Sequence, residues 1–198
     1  MKRSRIGNAV AAGLVVLAAV EVAEAAEPRL TVGVCNYAKV PERILRPAMT
    51  AAEEIFRKAG VETEWILREA EPDRPVQLNV RVLRGGSRNP ESPDAFGTAL
   101  VTGTSVPSEL ADVFYGQIED RAWTRLDVSM LLANVMAHEV GHLLGAKHST
   151  DGIMCGQWVK LQLQRARAGQ LSFSAGEAQR LRSEAAARLG LPVLAVSR

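Results

Sequence analysis

Hydrophobic positions recur at two spacings along this chain and divide it into alternating strands and helices. Leu30, Val32 and Val34 alternate with smaller or polar residues inside the run Leu30 to Tyr37, which predicts a first strand. Ile44, Leu45, Ala48, Ala52, Ile55, Phe56 and Ala59 then repeat at helical spacing, and Gly60 supplies a stop where positive φ is easy. Pro41 and Pro47 leave the first residue of that helix open. Val61, Thr63, Trp65 and Leu67 alternate again. So do Val76, Leu78, Val80 and Val82, whose intervening Gln77, Asn79 and Arg81 define a polar face.

Gly85 to Asp94 is a polar loop rich in Gly and Pro. Two further strands are expected near Phe96 to Thr102 and near Leu110 to Ile118. Thr124 or Asp127 can cap a long helix through Leu131, Leu132, Val135 and Met136 to Leu144. Ser174, three residues before Glu177, is a capping-box start for a last helix through Leu181 to about Leu189, ended by Gly190 and Pro192. The order is strand, helix, four strands, helix, loop, helix. That is an α/β (α+β) pattern on a mixed sheet, with no internal repeat.

Length and charge narrow this picture. With 198 residues, 47% of them hydrophobic, one globular domain over residues 26–198 is the expectation. The net charge is +2 and the basic residues are scattered, so there is no electrostatic case for a nucleic-acid partner. Residues 1–25 have the order of a secretory signal peptide: Lys2, Arg3 and Arg5, an apolar run from Val10 to Val20, then Ala23-Glu24-Ala25, with cleavage expected after Ala25. The apolar run is short for a membrane span, so a secreted or periplasmic protein without stable membrane insertion is expected. In such a compartment the two cysteines, Cys35 and Cys155, are compatible with one disulfide or with two inert thiols. A further alternative has Cys35 capping a metal as a latency switch.

The chemistry concentrates in His138-Glu139-Val140-Gly141-His142-Leu143-Leu144-Gly145-Ala146-Lys147-His148. Residues four apart share a helix face, so His138 and His142 can aim two imidazoles at one point. His148 lies too far along to share that face. Gly145 stands where the chain must leave the helix, and a residue without Cβ can turn sharply there. These are the chain's 3 histidines, so none is left over. Zinc in catalytic sites takes three protein ligands and keeps a position for water. Glu139 follows the first ligand and can accept a proton from a metal-activated water without replacing it. Incidental histidines on an amphipathic helix are the bland alternative. A structural zinc site closed by Cys155 as fourth ligand is another.

With that motif the sequence resembles the metzincin clan of zinc endopeptidases, through HExxHxxGxxH and Gly152-Ile153-Met154 downstream. The resemblance implies Zn2+ on His138, His142 and His148, Glu139 as general base, Gly145 at the turn, and Met154 in a Met-turn beneath the metal. It also implies a five-stranded twisted mixed sheet with an active-site helix and a C-terminal helix. An extended peptide or protein substrate would lie antiparallel to an edge strand, here near Gly97 to Gly103, and the segment holding Trp158 would line the pocket beside the metal. Ser149 after the third histidine resembles the matrixin branch. The short His148 to Met154 connection and the lack of histidines for a second zinc depart from it, and Gly156 excludes an astacin-like tyrosine ligand.

Three functions follow as alternatives. One is an endopeptidase, the second a non-catalytic zinc-binding or interaction module, and the third the same zinc chemistry applied to cell-wall peptide amides. Glu139 favours catalysis, since metal binding alone needs no base there.

Overall fold

The computed structural model describes residues 29–87, 89, 92–101, 109–122 and 124–191. The proposed signal segment, residues 1–25, lies outside the described residues. Strand β1 (Leu30–Cys35) is followed by helix α1 (Glu42–Lys58), then β2 (Thr63–Leu67), β3 (Leu78–Leu83), β4 (Gly97–Ala99) and β5 (Leu110–Phe114). Four helices complete the order: α2 (Tyr115–Glu119), α3 (Arg125–Leu143), α4 (Lys160–Arg167) and α5 (Ala175–Arg188). The expected α/β class with a mixed five-stranded sheet is what forms, in spatial order β2-β1-β3-β5-β4. The pairs β1–β2, β1–β3 and β3–β5 are parallel, and β4 lies antiparallel to β5 on the edge.

One sheet face carries Val32, Val34, Val80, Val82, Ala111 and Val113, all buried against the helices. The period of two in the sequence puts these side chains on one side, and α1 and α3 cover them. Phe56 of α1 meets Trp65 of β2 and Phe173 at ring-centroid distances of 6.3 and 5.3 Å, which ties the helix to the sheet and to the segment before α5. Helix α5 closes the base of the layer: Arg182 donates to the Ala59 carbonyl at 2.7 Å and Arg188 to the Leu143 carbonyl at 2.8 Å. The last carbonyls of α1 and α3, which lack helical partners, are satisfied this way.

Three local expectations change. Pro41 proves to be the N-cap of α1, while Pro47 sits inside it. The run Leu110 to Ile118 is strand only to Phe114 and then becomes α2, because a short apolar run fits either period. Gly116 permits the change: a Cβ there would stand 2.5 Å from the Arg84 carbonyl oxygen. Helix α4 was not foreseen, since KLQLQRAR buries only Gln162 and Ala166 and so carries almost no apolar period. Among the described residues no helix is long and apolar enough to cross a membrane.

Candidate metal centre

Helix α3 begins with a full capping box: Asp127 N–H donates to Thr124 Oγ1 at 3.1 Å and Thr124 N–H to the Asp127 carboxylate at 2.9 Å. Both residues proposed as caps thus act together. The helix runs to Leu143, and its central residues are buried all round, as suits a helix sandwiched between the sheet and the later segments. It ends in a Schellman motif. Gly145 N–H bonds the His142 carbonyl at 3.0 Å and Ala146 N–H the Gly141 carbonyl at 2.9 Å, with Gly145 at φ 79°. This turn sends the chain back across the end of the helix and brings His148 beside His142.

The three histidines converge. His142 Nε2 lies 3.1 Å from His138 Nε2 and 3.1 Å from His148 Nε2. His138 Nδ1 is 2.7 Å from the Ile153 carbonyl and His142 Nδ1 is 2.9 Å from the Ala146 carbonyl, so in both rings Nδ1 carries the proton and Nε2 presents a lone pair. Lone pairs facing each other at that distance repel unless a cation stands between them. Nitrogens around a tetrahedral zinc at the usual bond length stand about 3.3 Å apart. Burial also favours the ligating form: it holds the His138 imidazole down at about 4 and lowers His142, so both rings are neutral at pH 7. The triad fits Zn2+. It is the one metal-sized cluster of His, Cys, Asp or Glu among the described residues, graded from buried His138 to exposed His148.

The segment after His148 folds beneath this cluster. Ser149 N–H bonds the Met154 carbonyl at 2.9 Å and Ile153 N–H the Ser172 carbonyl at 3.1 Å, around Gly152 at φ 77°. The Ile153 carbonyl that orients His138 comes from this turn. Met154 is fully buried, and its Sδ would be 2.8 Å from a Cβ on Gly141, so the thioether packs directly under α3.

Of the cysteine expectations, the disulfide does not form and the inert-thiol alternative holds. Cys35 and Cys155 are free thiols. Cys35 ends β1 among Arg68, Glu69 and Tyr37, whereas the Cys155 thiol faces the Gln157 carbonyl at 3.2 Å and the Thr150 carbonyl. The two therefore do not pair. Burial pushes the Cys35 thiol up, away from the reactive thiolate, and it does not line the cleft at the triad. Cys155 is absent from the ligand cluster, so no fourth protein ligand closes the site among the described residues. That is the open arrangement of catalytic rather than structural zinc.

Glu139 is 5% exposed and buried beside β4. Burial pushes its carboxyl up to about 8, against a backbone N–H bond from Ala99 that favours the charged form, with the Asp112 charge adding to the rise. Asp112 is itself held by Arg81 in a two-pronged ion pair of 2.6 and 2.8 Å. Histidines, Glu139 and β4 together line a cleft of about 1430 Å³, walled on one side by Arg84 to Ser87, Asn89 and Ser92 to Ala95. Trp158 reaches across its end: its ring is 6.2 Å from His138 and 5.9 Å from Phe96. The edge strand expected near Gly97 to Gly103 is thus an edge strand against the cleft, described over Gly97–Ala99. Residues 102–108 lie outside the described residues. Ala99, Asp112 and Phe96 were not singled out from the sequence. Only Gly97 carried a signal, as an isolated glycine in a strand-like run.

No family model matches the chain, and no curated protein matches its sequence. Solved structures do match its fold. The archaemetzincin from Methanopyrus kandleri aligns with a TM-score of 0.58 at 13% identity, over 79% of this chain and 95% of that one. A zinc-dependent peptidase from Methanocorpusculum labreanum aligns with a TM-score of 0.53 at 15% identity, over 76% of this chain and 99% of that one. At such identities the likeness is one of fold, and the triad on α3 and the turn after it is this chain's own evidence for a metal centre.

Proposed function

We propose that the chain is a zinc-dependent endopeptidase acting outside the cytoplasm, with His138, His142 and His148 as metal ligands and Glu139 as general base. The observation that carries this reading is the convergence of the Nε2 atoms at 3.1 Å beside a buried carboxylate in an open cleft. A zinc ion held there supplies a Lewis acid that polarises a carbonyl and brings the pKa of water towards neutrality. Glu139 takes up the proton of the attacking water and passes it to the leaving amine. The Ala99 main chain beside it favours the charged form of the carboxyl, which supports that role. Strand β4 lies at the sheet edge against the cleft, where an extended peptide can add alongside it, which suits a polypeptide substrate. The fold neighbours, named as an archaemetzincin and a zinc-dependent peptidase, support the same reading. Ser149 resembles the matrixin branch, while the short link from His148 to Met154 departs from it, so the reading rests at the metzincin clan.

The decisive experiment measures zinc content and peptide-library cleavage for wild type and Glu139→Ala. About one zinc per chain in both proteins, with cleavage lost only in the variant, is expected. Full activity in Glu139→Ala would refute the mechanism. Zinc binding by a wild type that cleaves neither polypeptides nor cell-wall peptides would favour the non-catalytic module. N-terminal sequencing of the protein recovered outside the cytoplasm tests export, with a new terminus after Ala25 expected.

A further inference from the structure

We propose that Gly97 is a positioning residue for this hydrolysis: the missing side chain lets strand β4 close on Glu139 and hold its carboxylate on the strand's free edge. The inference rests on the zinc-peptidase reading of the site. In the antiparallel β4–β5 ladder, the Phe96 carbonyl and the Leu100 N–H bond to β5, at 2.7 and 2.9 Å. Alternation therefore turns the main-chain groups of Gly97 and Ala99 to the free edge. It is there that the Ala99 main chain faces the Glu139 carboxyl and favours its charged form.

Gly97 is not required by backbone conformation, since it is not among the positive-φ glycines. It is required by space. A Cβ at position 97 would stand 2.7 Å from Glu139 Cγ, 2.7 Å from Glu139 Oε1 and 2.7 Å from the Asp112 carbonyl oxygen. Gly33 of β1 gives the contrast. Its nearest neighbour would be Arg68 Cδ at 2.6 Å, on a long side chain that can swing aside. Glu139 is buried on the central helix and the third contact is the main chain of β5, so neither gives way without moving the carboxylate or the strand. A side chain at 97 must lift β4 away from α3 or rotate the carboxylate. Either movement separates Ala99 N–H from Glu139, while the ligands, on α3 and the turn after it, stay in place.

The test compares wild type, Gly97→Ala, Glu139→Ala and the double variant. Gly97→Ala should lower kcat by about 10- to 100-fold, the scale of a small misplacement of a reacting group. KM should stay within about 3-fold and zinc content should not change, because neither depends on the carboxylate's position. A purely structural loss would move zinc content together with rate. Thermal unfolding of the four metal-free proteins reads the contact itself. The Tm lost on Gly97→Ala should be clearly smaller when residue 139 is alanine. If Gly97→Ala alone does not fold, recovery of a cooperative transition in the double variant is the same result. An unchanged kcat, or an equal Tm loss in both backgrounds, would overturn the proposal. The unfolding cycle needs no turnover, so it is decided separately from the peptidase reading.

Discussion

The two halves of this site are built in opposite ways. The metal half is local: His138, His142, the Gly145 turn, His148 and Met154 follow one another within one helix and the turn after it. The half around Glu139, the proposed base, is assembled at long range, with Glu139 on that helix but its neighbours Ala99 and Asp112 on separate strands. Orientation differs too. His138 and His142 are fixed by carbonyls of Ile153 and Ala146, 15 and 4 residues onward in the chain. Glu139 sits against an edge strand whose hydrogen-bonded neighbour among the described strands is β5. A ligand set can thus be specified by spacing alone, whereas the setting of a base depends on the whole sheet being closed.

The largest effect expected from breaking this division is the loss of the metal. His142→Ala removes the central nitrogen, the one within 3.1 Å of both others. Zinc affinity should fall by more than about 100-fold, beyond the upper figure for losing an outer-shell partner, and cleavage should go with it. Glu139→Ala should leave the metal in place. Retention of stoichiometric zinc in His142→Ala, by equilibrium dialysis, would show that the triad is not the site.

The next effect belongs to the base half and appears in the metal-free protein. There burial pushes the Glu139 carboxyl up to about 8 in the fold, while its ordinary value in an unfolded chain is 4.5. Between those values the folded state binds more protons, so this group's contribution is fully present below pH 4.5 and is lost as pH rises through 8. Metal-free Glu139→Gln lacks the titration. It should match wild type below pH 4.5 and exceed it by on the order of 4 kcal/mol at pH 9. His138 acts in the opposite sense, losing stability as pH falls from 6.5 towards 4, but it is common to both proteins and cancels. Added zinc should narrow the gap, since a nearby cation favours the carboxylate. A gap that does not vary with pH, in urea titrations from pH 4 to 9, would mean that Glu139 is not held neutral.

The same division decides how much could be read beforehand. The triad, Gly145 and the cap at Thr124 were legible because helix spacing and capping are rules of near neighbours. The strands were legible where Val32, Val80 and their neighbours alternate. The parts that escaped were tertiary. Ala99 has no chemical signature of its own, and its role exists only because β4 pairs with β5 beside α3. Cys35 and Cys155 are compatible with a bond in sequence, yet the fold leaves one at the end of β1 and the other under the Met154 turn. The apolar run to Ile118 fitted two periods equally, and Tyr115 and Ile118 chose the helical one only by packing against the core.

A smaller effect tests the floor of the metal half. Met154 is fully buried against Gly141. Met154→Ala should cost about 3 kcal/mol by opening a cavity beneath α3. Zinc affinity should weaken with it, since the Ile153 carbonyl that orients His138 belongs to the same turn. With zinc at saturation, kcat should stay near wild type, because β4 and Glu139 are untouched. A loss below about 1 kcal/mol in chemical denaturation would show that the turn does not depend on this side chain.

The smallest effect separates the two glycines that serve the two halves. Gly145 has nothing within 4 Å of an added Cβ, but its φ of 79° is one that an L side chain resists. Gly97 has ordinary φ and no room. Gly145→Ala should therefore cost about 1 kcal/mol through backbone strain alone, with His148 weakened as a ligand and zinc affinity reduced by no more than about tenfold. Asparagine tolerates the left-handed region, so Gly145→Asn should recover part of that loss. Asparagine at 97 should recover nothing, since its Cβ meets the same atoms of Glu139. Unfolding and zinc titration of the four variants read both comparisons. Equal losses for Ala and Asn at 145 would mean that crowding, not φ, governs the turn, and the distinction between the halves would fail at that point.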